Sequence, residues 1–163
     1  MKLIGTLALA AGVLSLAALA QNFDAGLRAY EQHDYSTAMK EWHPLAERGN
    51  DMAQFNLALL YYDGKGVPQD YAEAAQWFER AANQGYARAQ RNLAEMYATG
   101  QGVKRDYVQA YKWFSICAAS GNQTCADHRD WAAKKLSGSK LSTAQRLASE
   151  WKPVKSGSSA AVR

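Results

Sequence analysis

The stretch DGKGVPQDY, Asp63–Tyr71, places two glycines either side of a lysine, and TGQGVKRDY, Thr99–Tyr107, places two more 36 residues later. A lone G-x-G suggests a phosphate cradle, which also needs a strand before it and a helix N-terminus after it. Recurrence argues for something else. Gly64, Gly66, Val67, Asp70 and Tyr71 return as Gly100, Gly102, Val103, Asp106 and Tyr107. Downstream, Ala74, Trp77, Phe78, Ala82 and Gly85 return as Ala110, Trp113, Phe114, Ala118 and Gly121. Upstream, Ala53, Gln54, Leu57 and Tyr61 return as Ala89, Gln90, Leu93 and Tyr97. One further step back reaches Asp34, Tyr35, Ala38, Trp42 and Gly49. A fixed period in the thirties marks a stack of supersecondary units.

Each unit reads as two helices. Ala53, Leu57, Leu60 and Tyr61 fall on one face at helical spacing, and Tyr71, Ala74, Ala75, Phe78 and Ala82 do the same in the second segment. Asp70 stands where an N-cap is wanted, and Gly85 where a left-handed residue ends a helix. No strand signal intervenes. The fold class is therefore all-α, an α-solenoid of antiparallel helix pairs, and Gly64, Gly66, Gly100 and Gly102 are turn residues inside the repeats.

These residues strongly resemble the Sel-one-like (SLR) repeats, a branch of the tetratricopeptide-like α-solenoids. The resemblance runs from about Phe23 to Pro153 and divides 21–152 into four units. Residues 23–50 form a shorter pair without the glycine loop, 51–86 and 87–122 are full repeats, and 123–152 is a degenerate capping unit. Its last helix is expected over Ser142–Trp151, and 153–163 is expected to be a disordered tail.

Residues 1–20 read as a secretory leader: Lys2, an apolar run from Leu3 to Leu19, and an A-x-A site at Ala18–Ala20. The mature protein is then expected in the periplasm or outside the cell, with no transmembrane segment after cleavage. Formal net charge is +4, unevenly spread: 21–133 carries 11 basic and 14 acidic residues, 134–163 carries 7 basic and 1 acidic. A basic end can meet an anionic envelope surface or simply be solvated; nucleic acid is not the expected partner. In an exported chain Cys117 and Cys125 suit a disulfide, and their spacing resembles the staple of the cysteine-rich SLR branch. The bridge would clip the third unit to the capping unit.

Chemistry finds little purchase. His33, His43 and His128 occupy unrelated repeat positions, and His43 with Glu47 lacks the second histidine of a zinc-hydrolase helix. Asp127 and Asp130 of DHRD suit a solvated helix. Neither an SxxK nucleophile nor P-loop lysine spacing is present. The expectation is no catalytic residue, no metal and no cofactor.

A binding surface is the more informative reading. In tetratricopeptide-like solenoids the first helix of each pair lines a concave groove. Met52, Phe55, Leu59 and Tyr62 make a second apolar stripe on such a helix, and their counterparts one repeat on are Arg88, Arg91, Glu95 and Ala98. The stripe with Arg88, Arg91 and Glu95 would suit a peptide or amphipathic segment with acidic neighbours. Alternatively it packs against the helix over 23–32. The expected function is an exported scaffold that assembles or regulates bacterial envelope complexes through a protein or peptide partner. The alternatives are a cell-wall or β-lactam enzyme of the cysteine-rich type, or a binder of anionic glycan or lipid.

Overall fold

The computed structural model describes residues 22–154. The leader read over 1–20, and the tail beyond Val154, lie outside the described residues. Among the described residues there are eight helices and no strand: α1 (22–31), α2 (Tyr35–Glu47), α3 (Asp51–Asp63), α4 (Tyr71–Asn83), α5 (Ala87–Thr99), α6 (Tyr107–Ala118), α7 (Gln123–Ala133) and α8 (Gly138–Glu150).

Helix starts follow the sequence. The Asp70 carboxylate accepts from the Ala72 and Glu73 amides at 2.9 and 3.0 Å, and Asp106 accepts from Val108 and Gln109 at 2.8 and 3.2 Å. Asp34, Asn50 and Asn122 cap α2, α3 and α7 in the same way. Each satisfies amides that the helix itself leaves unpaired, worth about 1 kcal/mol apiece.

Packing repeats with the sequence. Trp42, Phe78 and Phe114, each 36 residues apart, are all buried, as are Ala38, Ala74 and Ala110 one turn earlier on the same helices. The alanines let helices approach while the aromatic column fills the space between units. Two glutamines are buried in this core. Gln54 Nε2 donates to the Ala46 carbonyl at 2.9 Å, and Gln90 Nε2 donates to the Ala82 carbonyl at 3.2 Å. Each reaches the end of the preceding helix, where carbonyls lack a helical partner.

The two loop glycines do different work. Gly64 and Gly100 cap α3 and α5 in the left-handed conformation, φ +67° and +79°. Gly66 and Gly102 also have positive φ, but they are pressed onto the preceding unit. A Cβ on Gly66 would lie 2.8 Å from Tyr35 Cβ and 2.9 Å from the Tyr35 carbonyl carbon; one on Gly102 would lie 2.0 Å from the Tyr71 carbonyl oxygen. Tyr35 and Tyr71 begin α2 and α4, so each loop rests on the start of the helix one unit back. The residue between the glycines adds a second tie. Lys65 Nζ donates to the Tyr30 hydroxyl at 3.1 Å and pairs with Asp63 at 2.9 Å. Hydrogen bonds to Asp63 and then Tyr30 hold that ammonium above its ordinary 10.5. In the next unit Gln101 Oε1 accepts from the Tyr62 hydroxyl at 3.2 Å.

The end of the stack departs from the pattern. Helix α8 starts at Gly138, not Ser142: Ser137 stands at the N-cap position, and the Ser142 and Thr143 hydroxyls bond back to the Gly138 and Ser139 carbonyls from inside the helix. It packs chiefly on α6, whereas α3 pairs with α4 and α5 with α6. The cause is readable in α7. Where α3 and α5 carry Leu57 and Leu93, α7 carries Arg129; where they carry Ala58 and Ala94, it carries Asp130; where they carry Tyr61 and Tyr97, it carries Ala133. That face no longer offers apolar surface to a paired helix, and a cavity of about 450 Å³ opens among α6, α7 and α8. Beyond α8 the chain turns back. Trp151 packs edge-on against Trp113 at 6.1 Å, and the Val154 amide donates to the Asn83 carbonyl at 2.8 Å. Order thus extends into the first two residues of the segment read as tail.

Cys117 and Cys125 form a disulfide, Cα–Cα 5.8 Å, between α6 and α7. Both are fully buried, and Cys125 occupies the register of Ala53 and Ala89.

Candidate functional site

Helices α3, α5 and α7 are the first helices of successive units, and residues 36 apart line up across them. The stripe expected from the sequence does not stay together. Met52 is 44% exposed, but Phe55 is only 5% exposed, its ring packed against Phe78 at 5.7 Å and Tyr86 at 5.0 Å. Phe55 is therefore core, with aromatic neighbours on α4 and in the turn after it. Arg88 lies across the Phe55 ring, guanidinium carbon to centroid 5.4 Å. Leu59 and Tyr62 are half-buried; Tyr62 meets Tyr71 edge-on at 5.0 Å. Burial, with lesser contributions from Tyr71, Glu95 and Asp63, raises the Tyr62 phenol above 10. Arg91 Nε stands 3.5 Å from Glu95 Oε1.

What remains open on this face is organised around Glu95. On its α3 side is a cavity of about 150 Å³ lined by Leu59, Tyr62, Asp63, Asn92, Glu95 and Met96. On its α7 side is one of about 270 Å³ lined by Glu95, Ala98, Thr99, Phe114, His128 and Trp131. Phe114 forms the floor, and its ring meets that of His128 at 5.1 Å. His128 Nδ1 is buried without a hydrogen-bond partner. Trp131 is 42% exposed, steadied by the edge of Tyr107 at 5.8 Å.

Sequence reasoning did not reach His128 and Trp131 as site residues, yet the signal was there. Adding the repeat once more to Leu59 and Glu95 lands on Trp131; adding it to Asn56 and Asn92 lands on His128. Degeneration of the last unit hid that register.

The arrangement suits holding a side chain. The Thr99 hydroxyl is engaged with the Glu95 carbonyl at 2.9 Å, Asp127 accepts from Gln123 at 2.9 Å, and Asp130 pairs with Arg129 at 2.8 Å. Among the described residues no three His, Cys, Asp or Glu side chains gather as a metal site, and no helix is long and apolar enough to cross a membrane.

The sequence profile of the Sel1 repeat matches residues 51–86 and 87–122. A Sel1 repeat protein from Oxalobacter formigenes, known by crystal structure, is 30% identical, with a TM-score of 0.63 over 69% of this chain and 87% of that one. The chain belongs to the Sel1 repeat family. A second crystal structure, of a protective antigen present in uropathogenic Escherichia coli strains and displaying an SLR fold, is 33% identical. The TM-score there is 0.76 over 82% of this chain; the Sel1 repeat chain spans only 29% of the antigen's length. Among curated proteins, none matches. The Sel1 repeat fold points to a protein–protein interaction scaffold with protein partners, and its solenoid is typically non-catalytic.

Proposed function

We propose that this Sel1 repeat protein is an exported, non-catalytic scaffold of the bacterial envelope that takes a segment of a partner protein along the α3–α5–α7 face. The observation that carries the reading is the row Leu59, Glu95 and Trp131, which runs across three helices with a cavity on each side of Glu95. Recesses about one helix spacing, ~10 Å, apart suit side chains about three residues apart on an extended segment or about two turns apart on a helical one. At the far end Arg88 and Arg91 suit acidic neighbours in that segment. The leader-like residues 1–20 and the Cys117–Cys125 disulfide support export.

A photo-crosslinking side chain at Met52 tests the face, with one at Gln76 on α4 as control. Discrete capture in living cells is expected from Met52 and lost with Arg88→Glu; capture from Gln76 alone refutes the reading. Intact mass after exposure to a penicillin tests the non-catalytic part, since a stable acyl adduct would sink it. Exposed Lys134, Lys135, Lys140 and Lys152 favour a second reading, docking to an anionic surface. It predicts salt-sensitive sedimentation with anionic vesicles that disappears when those four lysines are neutralised.

A further inference from the structure

We infer that the α5–α7 cavity takes an arginine side chain of the partner. This rests on the docking face proposed above and narrows it to one chemistry. The cavity has room for a long side chain, about 270 Å³, and Ala98, Phe114, His128 and Trp131 give its walls an apolar, largely aromatic character. That suits a hydrocarbon stem. Glu95 is the one charged group in the lining, so an acidic side chain is repelled and a basic one attracted. Arg91 is its present partner, through a single 3.5 Å contact with both side chains 44% exposed, and so weak enough to be shared or displaced.

One further group distinguishes among basic and apolar occupants. Trp131 presents an indole that already draws a cation: Lys135 Nζ lies 5.6 Å from its centroid. Tryptophan is the best π-partner for a cation, and guanidinium stacks on it more readily than ammonium does. A planar group with five donors can lie against Trp131 while donating in a fork to the Glu95 carboxylate. A lysine offers that carboxylate a point charge without the flat face that stacks on indole, and a phenylalanine leaves the carboxylate unmet.

The test titrates the protein with Nα-acetyl-arginine amide, its citrulline, lysine and phenylalanine counterparts, and observes the Trp131 indole N–H and His128 ring resonances. Trp131→Phe assigns the indole. The arginine amide is expected to shift both resonances saturably, with citrulline, equal in shape but uncharged, about tenfold weaker. Glu95→Gln is expected to bring arginine and citrulline within about twofold of each other, with the rest of the spectrum unchanged. Citrulline or phenylalanine binding as tightly as arginine overturns the inference, as does an arginine response that leaves Trp131 unmoved. No partner is needed for this measurement. Its failure with Met52 capture intact refutes the arginine alone; arginine binding without Met52 capture refutes the docking face.

Discussion

Replacing Gly102 by alanine tests how the units are joined. The residue has φ +68°, and a left-handed alanine costs about 1–2 kcal/mol whatever surrounds it. Gly121 isolates that cost: φ is +87° and nothing lies within 4 Å of its added Cβ. At Gly102 the added carbon would stand 2.0 Å from the Tyr71 carbonyl oxygen and 2.8 Å from the Ala72 amide nitrogen. Both are backbone atoms, so no side chain can swing aside. The third unit must move away from α4 by roughly 1 Å, and opening a packed seam adds about 1–3 kcal/mol or more. The expected loss is about 2–5 kcal/mol for Gly102→Ala against about 1–2 for Gly121→Ala. At roughly 3–5 °C per kcal/mol for a chain of this size, the melting points separate by several degrees. Circular dichroism melts and urea titrations read the difference, and hydrogen exchange should place the weakening at the α4–α5 seam. Equal losses in the two variants, within about 1 kcal/mol, would refute a glycine required by contact between units.

Three other outcomes follow from the same structure. Reduction of Cys117–Cys125 is expected to cost about 2–3 kcal/mol from the short closed loop and to release α7 amides first to hydrogen exchange; uniform loosening of the whole chain would contradict the local clip. Burial first, and then nearby negative charge (Glu73 and Asp70 at Tyr61, Glu95 and Asp63 at Tyr62, Glu79 and Asp106 at Tyr97), raises the three phenols above 10. Their contribution to stability is present below pH 10 and lost as pH rises through 10 toward their folded values, so these three should ionise last at 295 nm; one uniform native transition argues against it. Hydrogen bonds from the Thr37 side chain, then its amide, lower the Asp34 carboxyl below 3.8. That contribution is present above 3.8 and lost as pH falls toward the folded value, so Asp34→Asn should flatten the acid limb of the urea midpoint between about pH 5 and 2. An unchanged limb would show that the cap carries no charge dependence.

The repeating parts of the fold were legible because each was written twice. Helix pairs, the Asp70 and Asp106 caps and the turn glycines all stand in a 36-residue register, and the same geometry meets each copy. What the sequence hid was set by contacts between units. Phe55 stays open between groove and core in the sequence because its counterpart is Arg91, yet Tyr86 and Phe78 close over it. The second glycine reads as a turn residue until Tyr35 or Tyr71 is found beneath it. Placing α8 on α6 required knowing what α7 fails to offer, a consequence of Arg129 and Asp130 standing where leucine and alanine stand elsewhere. The half-exposed Trp131 escaped notice because a degenerate unit was read for what it had lost.

Gly66 and Gly102 meet their neighbours largely through main-chain atoms, which every amino acid possesses. A seam of that kind asks little about which side chains the adjoining helices show to solvent. Copying or deleting one 36-residue block leaves the same joint at the new boundary, and the faces of α3, α5 and α7 can be rewritten one at a time. Length and specificity can thus be altered separately, as when words are exchanged in a sentence whose grammar is kept.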